Sequence, residues 1–336
     1  MLIKDARTTA ADWVRQSGAA AAFLTGSTLG RADAAELPSD SDLDVVVVSD
    51  GPAPSKIGKL VHRGVRLDVS HLAADVLADA ESVARTHYLA PSFATPRAIL
   101  VDDGRLRALV DHIGPHFAEP EMIMARCSDV ITRMEAGLAG VGTADSWAEQ
   151  LQDWIFPISL PTQVLLVAGL RPPTVRLRYL RVRDLLQERE RVATYEELLD
   201  LLGCRTVDAA VVRHHLAALD RAFTAAARCP PTGFAFGSDI TGSMRDATVG
   251  ATIRLVDAGH PREAVFWLMV TLVRCQLILD RVGEPTTRDH CAAALRSAAG
   301  DVLGVLAPQD LRRRADRLRA WTGTLRAEAE RVIGTR

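Results

Sequence analysis

The spacing of hydrophobic positions changes along this chain. Up to about residue 115 the apolar residues come in short runs bounded by turn formers; beyond Gly114-Pro115 they recur at helical period, and no convincing strand run remains. The most telling short run is Val45-Val46-Val47-Val48. Four consecutive β-branched residues favour an extended chain, and the lack of alternation predicts a strand covered on both faces. Residues 20–25 read as a first strand, 43–48 as the second, the alternating 65–70 as the third after the turn His62-Arg63-Gly64, and 98–101 as the fourth, closed by Asp102-Asp103-Gly104. A first helix is expected to be capped by Thr8 or Thr9 and to run to Gln16, with Trp13 and Val14 facing inward. Residues 28–35 suggest a helical turn, 74–86 a helix and 105–112 the start of another.

The remainder predicts helices over 121–138, 147–167, 175–190, 195–202, 207–227, 243–258, 262–281, 291–305 and 310–333. The last carries Leu311, Leu318, Leu325 and Val332 at seven-residue spacing, one apolar stripe for a partner helix. Strands followed by helices predict two domains. The expected fold class is therefore an α/β (α+β) domain with a mixed sheet over 1–115, followed by an all-α helical-bundle domain over 116–336 that would hold a substrate.

Composition adds limits rather than a function. The net charge is −2, about −3 before residue 115 and about +1 after it, so no global field points to nucleic acid or membrane. Lysine occurs only at Lys4, Lys56 and Lys59, which reads as a codon bias towards arginine. The five cysteines (Cys127, Cys204, Cys229, Cys275, Cys291) form no C-x-x-C pair, which fits a reducing cytoplasm without disulfides or structural zinc. The N-terminus lacks the apolar core of a signal peptide. Residues 264–279 are apolar but contain Arg274 and Gln276, and a buried helix is the better reading.

Chemistry concentrates between residues 24 and 70. Asp42 and Asp44 stand one residue apart at the head of the valine run, so on a strand they point to one face with Leu43 opposite. Paired carboxylates need a counter-charge, and a hard divalent cation with oxygen ligands supplies one. Gly26-Ser27, directly after the first strand, has the makings of a phosphate cradle: glycine admits a close backbone approach, serine donates a hydroxyl, and a following helix start would present free N–H groups. Asp68 lies in the third strand with Arg66 on the same face. If the second and third strands are neighbours, Asp68 joins Asp42 and Asp44 around one or two metal ions, or serves as the base that takes a proton from an attacking hydroxyl. The plain alternative is a salt bridge from Asp68 to Arg66 or Arg63.

Thr25-Gly26-Ser27, a spacer over 28–41, then Asp42-Leu43-Asp44-Val45 resembles the signature of the nucleotidyltransferase superfamily with the polymerase-β-like fold. Gly30 and Ser41 also stand where many members carry Gly and Ser. The spacer is slightly long, and Thr25 replaces an apolar residue. The resemblance covers roughly the first 110 residues. It implies a mixed sheet with helices on one side, Mg²⁺, and a nucleoside triphosphate, ATP among them, attacked at its α-phosphorus. Gly26 and Ser27, with Ser41, would bind the nucleotide's phosphates; Asp42 and Asp44 would bind metal; Asp68 would complete the site as ligand or base. A small catalytic domain followed by helices is similar to bacterial aminoglycoside and lincosamide adenylyltransferases, which act in antibiotic resistance. That similarity implies AMP transfer to a hydroxyl of a small molecule. The near-neutral second half argues against a polycationic acceptor, and no oligomeric state follows. Two rivals stay open: transfer to a protein or an RNA end, and a non-catalytic nucleotide-binding module.

Lesser features carry plainer expectations. Arg171, Arg176, Arg178, Arg181 and Arg183, followed by Asp184, Glu188 and Glu190, read as a solvated, salt-bridged helix rather than a phosphate site. Glu149 with Asp153, and the loop 239–246, are weaker candidates for contacting a substrate. His112/His116 and His214-His215 are set aside as metal pairs, and Trp154, Trp267 and Trp321 are read as core. Gly242-Ser243 echoes Gly26-Ser27 without a following D-x-D, so it reads as a helix start.

Overall fold

The structure is a computed structural model that describes residues 1–38, 40–230 and 233–335. It divides into two compact units, the first formed by Met1–Asp129 with Val167–Thr174 and the second by Val130–Leu166 with Val175–Thr335.

The first unit is built on a five-stranded mixed sheet. Its strands are β1 (Ala21–Thr25), β2 (Leu43–Ser49), β3 (Gly58–His62), β4 (Val65–Ala73) and β5 (Ile99–Val101), in the order β3-β4-β2-β1-β5. Only β2 and β4 pair in parallel; the other neighbours are antiparallel. The four expected strands are all present, and the second and third are neighbours, the condition on which Asp68 could join Asp42 and Asp44. The fifth, β3, takes residues that include the expected turn residue His62. It forms a hairpin with β4 through Arg63-Gly64, where both residues adopt positive φ as tight turns of this kind require.

Alternation within each strand sorts the side chains into two cores. Ala22, Leu24, Val45, Val47, Leu67 and Val69 share one cluster with Ala6, Ala10 and Val14 of helix α1 (Ile3–Gln16). Ala21, Phe23, Val46 and Val48 face the other way, onto Val83 of α2 (Ala80–Arg85), Phe93, and Leu106 and Leu109 of α3 (Arg105–Ile113). The valine run is thus covered on both faces, as its lack of alternation predicts. Helices on one side only, as the resemblance implied, is corrected: α1 covers the face that expectation left open. This helix also begins earlier than expected. Thr8 and Thr9 do not cap it; their hydroxyls donate back to the carbonyls of Lys4 and Asp5, 3.0 Å away, inside the helix.

The division between units falls inside α4 (Pro120–Ala139), at Asp129, rather than at residue 115. Arg126 of α4 donates to the carbonyls of Ala84 and Phe117, and the backbone N–H of His87 donates to Asp129, 3.0 Å away. Those bonds tie the first half of α4 to the sheet unit.

The second unit is helical throughout its regular elements. It continues with α5 (Trp147–Ala168, ending in the first unit), α6 (Arg178–Glu188), α7 (Val192–Leu202), α8 (Ala209–Ala226), α9 (Ala251–Asp257), α10 (Pro261–Val282), α11 (Pro285–Ala298) and α12 (Pro308–Gly334). α10 is buried along nearly its whole length and packs on α6, α8, α9 and α11. Arg274 and Gln276 are therefore part of a protein core. Leu311, Leu318, Leu325 and Val332 form the expected buried stripe of α12.

Leu67 is fully buried in the sheet core. Leu67→Ala should lower the free energy of unfolding by about 2–5 kcal/mol, measured by chemical denaturation; a loss under about 1 kcal/mol would contradict this packing.

Candidate active site

One row of the sheet ladder carries the charged residues. Thr25 on β1 pairs with Asp44 on β2, Asp44 with Asp68 on β4, and Asp68 with Lys59 on β3. Side chains opposite one another across strands emerge on the same face. This is the face of Phe23, Val46 and Val48, one row beyond the apolar core they form. Asp42 lies two residues before Asp44, at the entry to β2. The sheet thus brings Asp42, Asp44 and Asp68 together.

The Asp44 carboxyl feels the charge of both other acids. Burial raises the Asp44 carboxyl to about 8, and repulsion from Asp42 and Asp68 adds to the effect; Lys59 and Lys56 oppose it. The lysine amines are in contact with the other two acids. Lys59 Nζ donates to Asp42 Oδ2, and Lys56 Nζ lies 2.8 Å and 3.0 Å from the two oxygens of Asp68. Asp68 thus pairs with Lys56, and Arg63, one of the two partners in the plain alternative, reaches Asp12. Among the described residues, no group of three or more acidic, histidine or cysteine side chains stands placed to hold a metal ion.

Gly26 is fixed by the same cluster. Its φ is +78°, and a Cβ built on it would collide with the Asp44 carboxylate. Glycine here is a requirement of both backbone angle and space. Ser27 is exposed on the three-residue turn Gly26–Thr28. The helix start expected after Gly-Ser is this single 3-10 turn, too short to carry a helix dipole. Thr28 is buried, and its hydroxyl has no hydrogen-bond partner. Ser41 sits at the entry of β2, its backbone N–H donating to Pro38 and its hydroxyl 3.5 Å from the Asp42 carbonyl.

Lys56 and Lys59 are the residues that sequence reasoning missed. The available signal was their rarity: two of only three lysines among 40 basic residues fall within four positions of each other. Several of the other candidates have partners within the fold. Glu149 caps its own helix through Ser146. In the 239–246 loop, Asp239 pairs with Arg274 and Asp246 with Arg254. His116 bonds Glu119, and His215 bonds Asp301. Arg178 departs from the solvated helix expected of its cluster. It is buried, with Nη1 2.7 Å from Ser159 Oγ and its guanidinium over the ring of Phe266, and burial lowers its pKa to about 10.

Comparison of the chain with protein-family models, with curated proteins and with solved structures gave no match.

Two outcomes follow from this geometry. Asp44 holds a proton in the folded protein between its ordinary value of 3.8 and about 8, where the unfolded chain has released it. Stability from this source is present at low pH and is lost as pH rises through that window. Asp44→Asn should flatten the decline and, without divalent cations at pH 8–9, stabilise the protein by about 1–3 kcal/mol; an unchanged pH profile of unfolding would contradict it. Gly26→Ala should cost about 1–3 kcal/mol through its positive φ and displace Asp44, visible as a changed pH profile in the same unfolding measurement.

Proposed function

We propose that the protein is a Mg²⁺-dependent nucleotidyltransferase that transfers a nucleotidyl group, AMP from ATP, to a hydroxyl of a small molecule and releases pyrophosphate. One observation carries the reading: the β2–β4 register that sets Asp44 beside Asp68, with Asp42 two residues upstream and Gly26 pressed against Asp44. The signature Thr25-Gly26-Ser27…Asp42-Leu43-Asp44 and the mixed sheet support it.

The donor set has the chemistry that a hard divalent cation takes, with two of its carboxylates held by Lys56 and Lys59 in this structure. It consists of carboxylate oxygens only, clustered closely enough that their mutual repulsion adds to the effect of burial on Asp44. Asp42, Asp44 and Asp68 would hold Mg²⁺, which when bound supplies charge neutralisation to the triphosphate. The lack of a Cβ at Gly26 lets the Asp44 carboxylate lie against the backbone, and Ser27, the next residue, offers an exposed hydroxyl to a phosphate. The bond from the acceptor oxygen to the α-phosphorus forms as the bond to pyrophosphate breaks. Asp68, outside the D-x-D pair, is the carboxylate assigned to receive the acceptor's proton or to complete the ligand set. Positioning and charge compensation by these side chains supply most of the acceleration.

The test uses ATP labelled at the α-phosphate with a panel of hydroxylated small molecules. Wild-type protein should label an acceptor and release pyrophosphate only with Mg²⁺. Asp42→Asn should reduce turnover by at least about a thousandfold while thermal unfolding still shows a folded protein. Normal turnover by that variant would overturn the assignment. The lysine contacts to Asp42 and Asp68 favour a second reading, a nucleotide-binding module without turnover; ATP binding with no pyrophosphate release across the panel would select it.

A further inference from the structure

Lys56 and Lys59 occupy the carboxylates that a metal would need. Lys59 stands on the edge strand β3, directly opposite Asp68, yet its amine reaches across to Asp42. Lys56 approaches from the segment before β3 and takes Asp68. Gly58, between them, has a φ of +81° and lets the chain turn so that both amines reach the same cluster. Two cations thus face three carboxylates, and both pairs are largely screened from solvent: the side chains of Asp68 and Asp42 are 13% and 21% exposed.

The choice of lysine is informative in this chain. Partly buried ion pairs elsewhere, such as Arg191–Glu328 and Arg274–Asp239, are made by arginine. A guanidinium grips a carboxylate through a rigid, bidentate fork. An ammonium on a four-carbon stem makes a point contact and can swing away. An arrangement selected only for a permanent lock on Asp42 and Asp68 would use arginine, as those pairs do.

We propose that Lys56 and Lys59 are exchangeable counter-ions, which neutralise Asp68 and Asp42 when no divalent cation is bound and pass to the phosphate oxygens of a nucleoside triphosphate when the cation takes the carboxylates. They are positioning residues for the triphosphate, and they set the affinity of the metal by competing with it. The inference rests on the nucleotidyltransferase reading of the site. It adds a cost to metal binding in the absence of nucleotide and a gain when both ligands arrive together, so the two should bind with positive cooperativity.

The experiment is a pair of titrations on the full chain. Free Mn²⁺ is followed by electron paramagnetic resonance without nucleotide, and binding of a non-hydrolysable ATP analogue is followed by calorimetry with Mg²⁺. Lys56→Met/Lys59→Met should bind Mn²⁺ roughly fivefold more tightly than wild type, because the competitor is gone. The same variant should bind the analogue about tenfold more weakly, because two charge-assisted contacts are lost. Lys59→Arg should shift Mn²⁺ binding the other way, roughly fivefold weaker; it also carries the test if the double variant fails to fold. A purely structural pair would not move Mn²⁺ affinity in opposite directions for Met and Arg. Unchanged or same-direction Mn²⁺ shifts, or an unchanged analogue affinity, overturn the inference while leaving the nucleotidyltransferase reading intact. Wild-type protein that binds neither Mn²⁺ nor the analogue overturns both.

Discussion

Like-charge repulsion along one row of the sheet is the constraint on which the site depends. Two in-register neighbours, Asp44 and Asp68, are held side by side by the parallel β2–β4 ladder, and Asp42 adds a third carboxylate two residues away. Such a row cannot be fully ionised without compensation. The protein meets the demand in three ways: Asp44 keeps its proton to about pH 8, Lys59 neutralises Asp42, and Lys56 neutralises Asp68. The rigidity that enforces the crowding comes from below. One row deeper on the same face, Val46 and Phe23 pack into a core with α2 and α3, and the opposite face is sealed by α1. The sheet therefore cannot relax the repulsion by spreading its strands.

Part of this was legible in the sequence for a clear reason. Four adjacent valines admit one good reading, a strand buried on both sides, and the period of two then fixes which residues share a face with Asp44. The alternation around Asp68 places it the same way. The edge strand was not legible. Gly58-Lys59-Leu60-Val61-His62 opens on glycine, alternates only weakly and is short, so pairing with β4 rather than its own pattern makes it a strand. Because β3 was missed, Lys59 had no assigned position opposite Asp68, and the lysines passed for a compositional accident.

The limits of the units show a second kind of illegibility. Pro115 is a strong local punctuation mark, yet the tertiary bonds of Arg126 and Asp129 carry the first half of α4 into the sheet unit. The helices themselves were readable, since their apolar period is decided locally. Their buried charges were not. Arg178 lies in a stretch crowded with arginines and acids, and packing against Phe266 and Ser159 distinguishes it from an exposed neighbour such as Arg181.

On the proposed reading, the Asp44 row is one site at which a divalent cation and a triphosphate meet. Anomalous diffraction from crystals soaked with Mn²⁺ and a non-hydrolysable triphosphate tests it most directly. The expected result is a manganese peak among Asp42, Asp44 and Asp68, phosphates against Gly26 and Ser27, and Lys56 and Lys59 turned from the carboxylates to the phosphates. Manganese or nucleotide bound elsewhere, with Lys59 still on Asp42 and Lys56 still on Asp68, would contradict it.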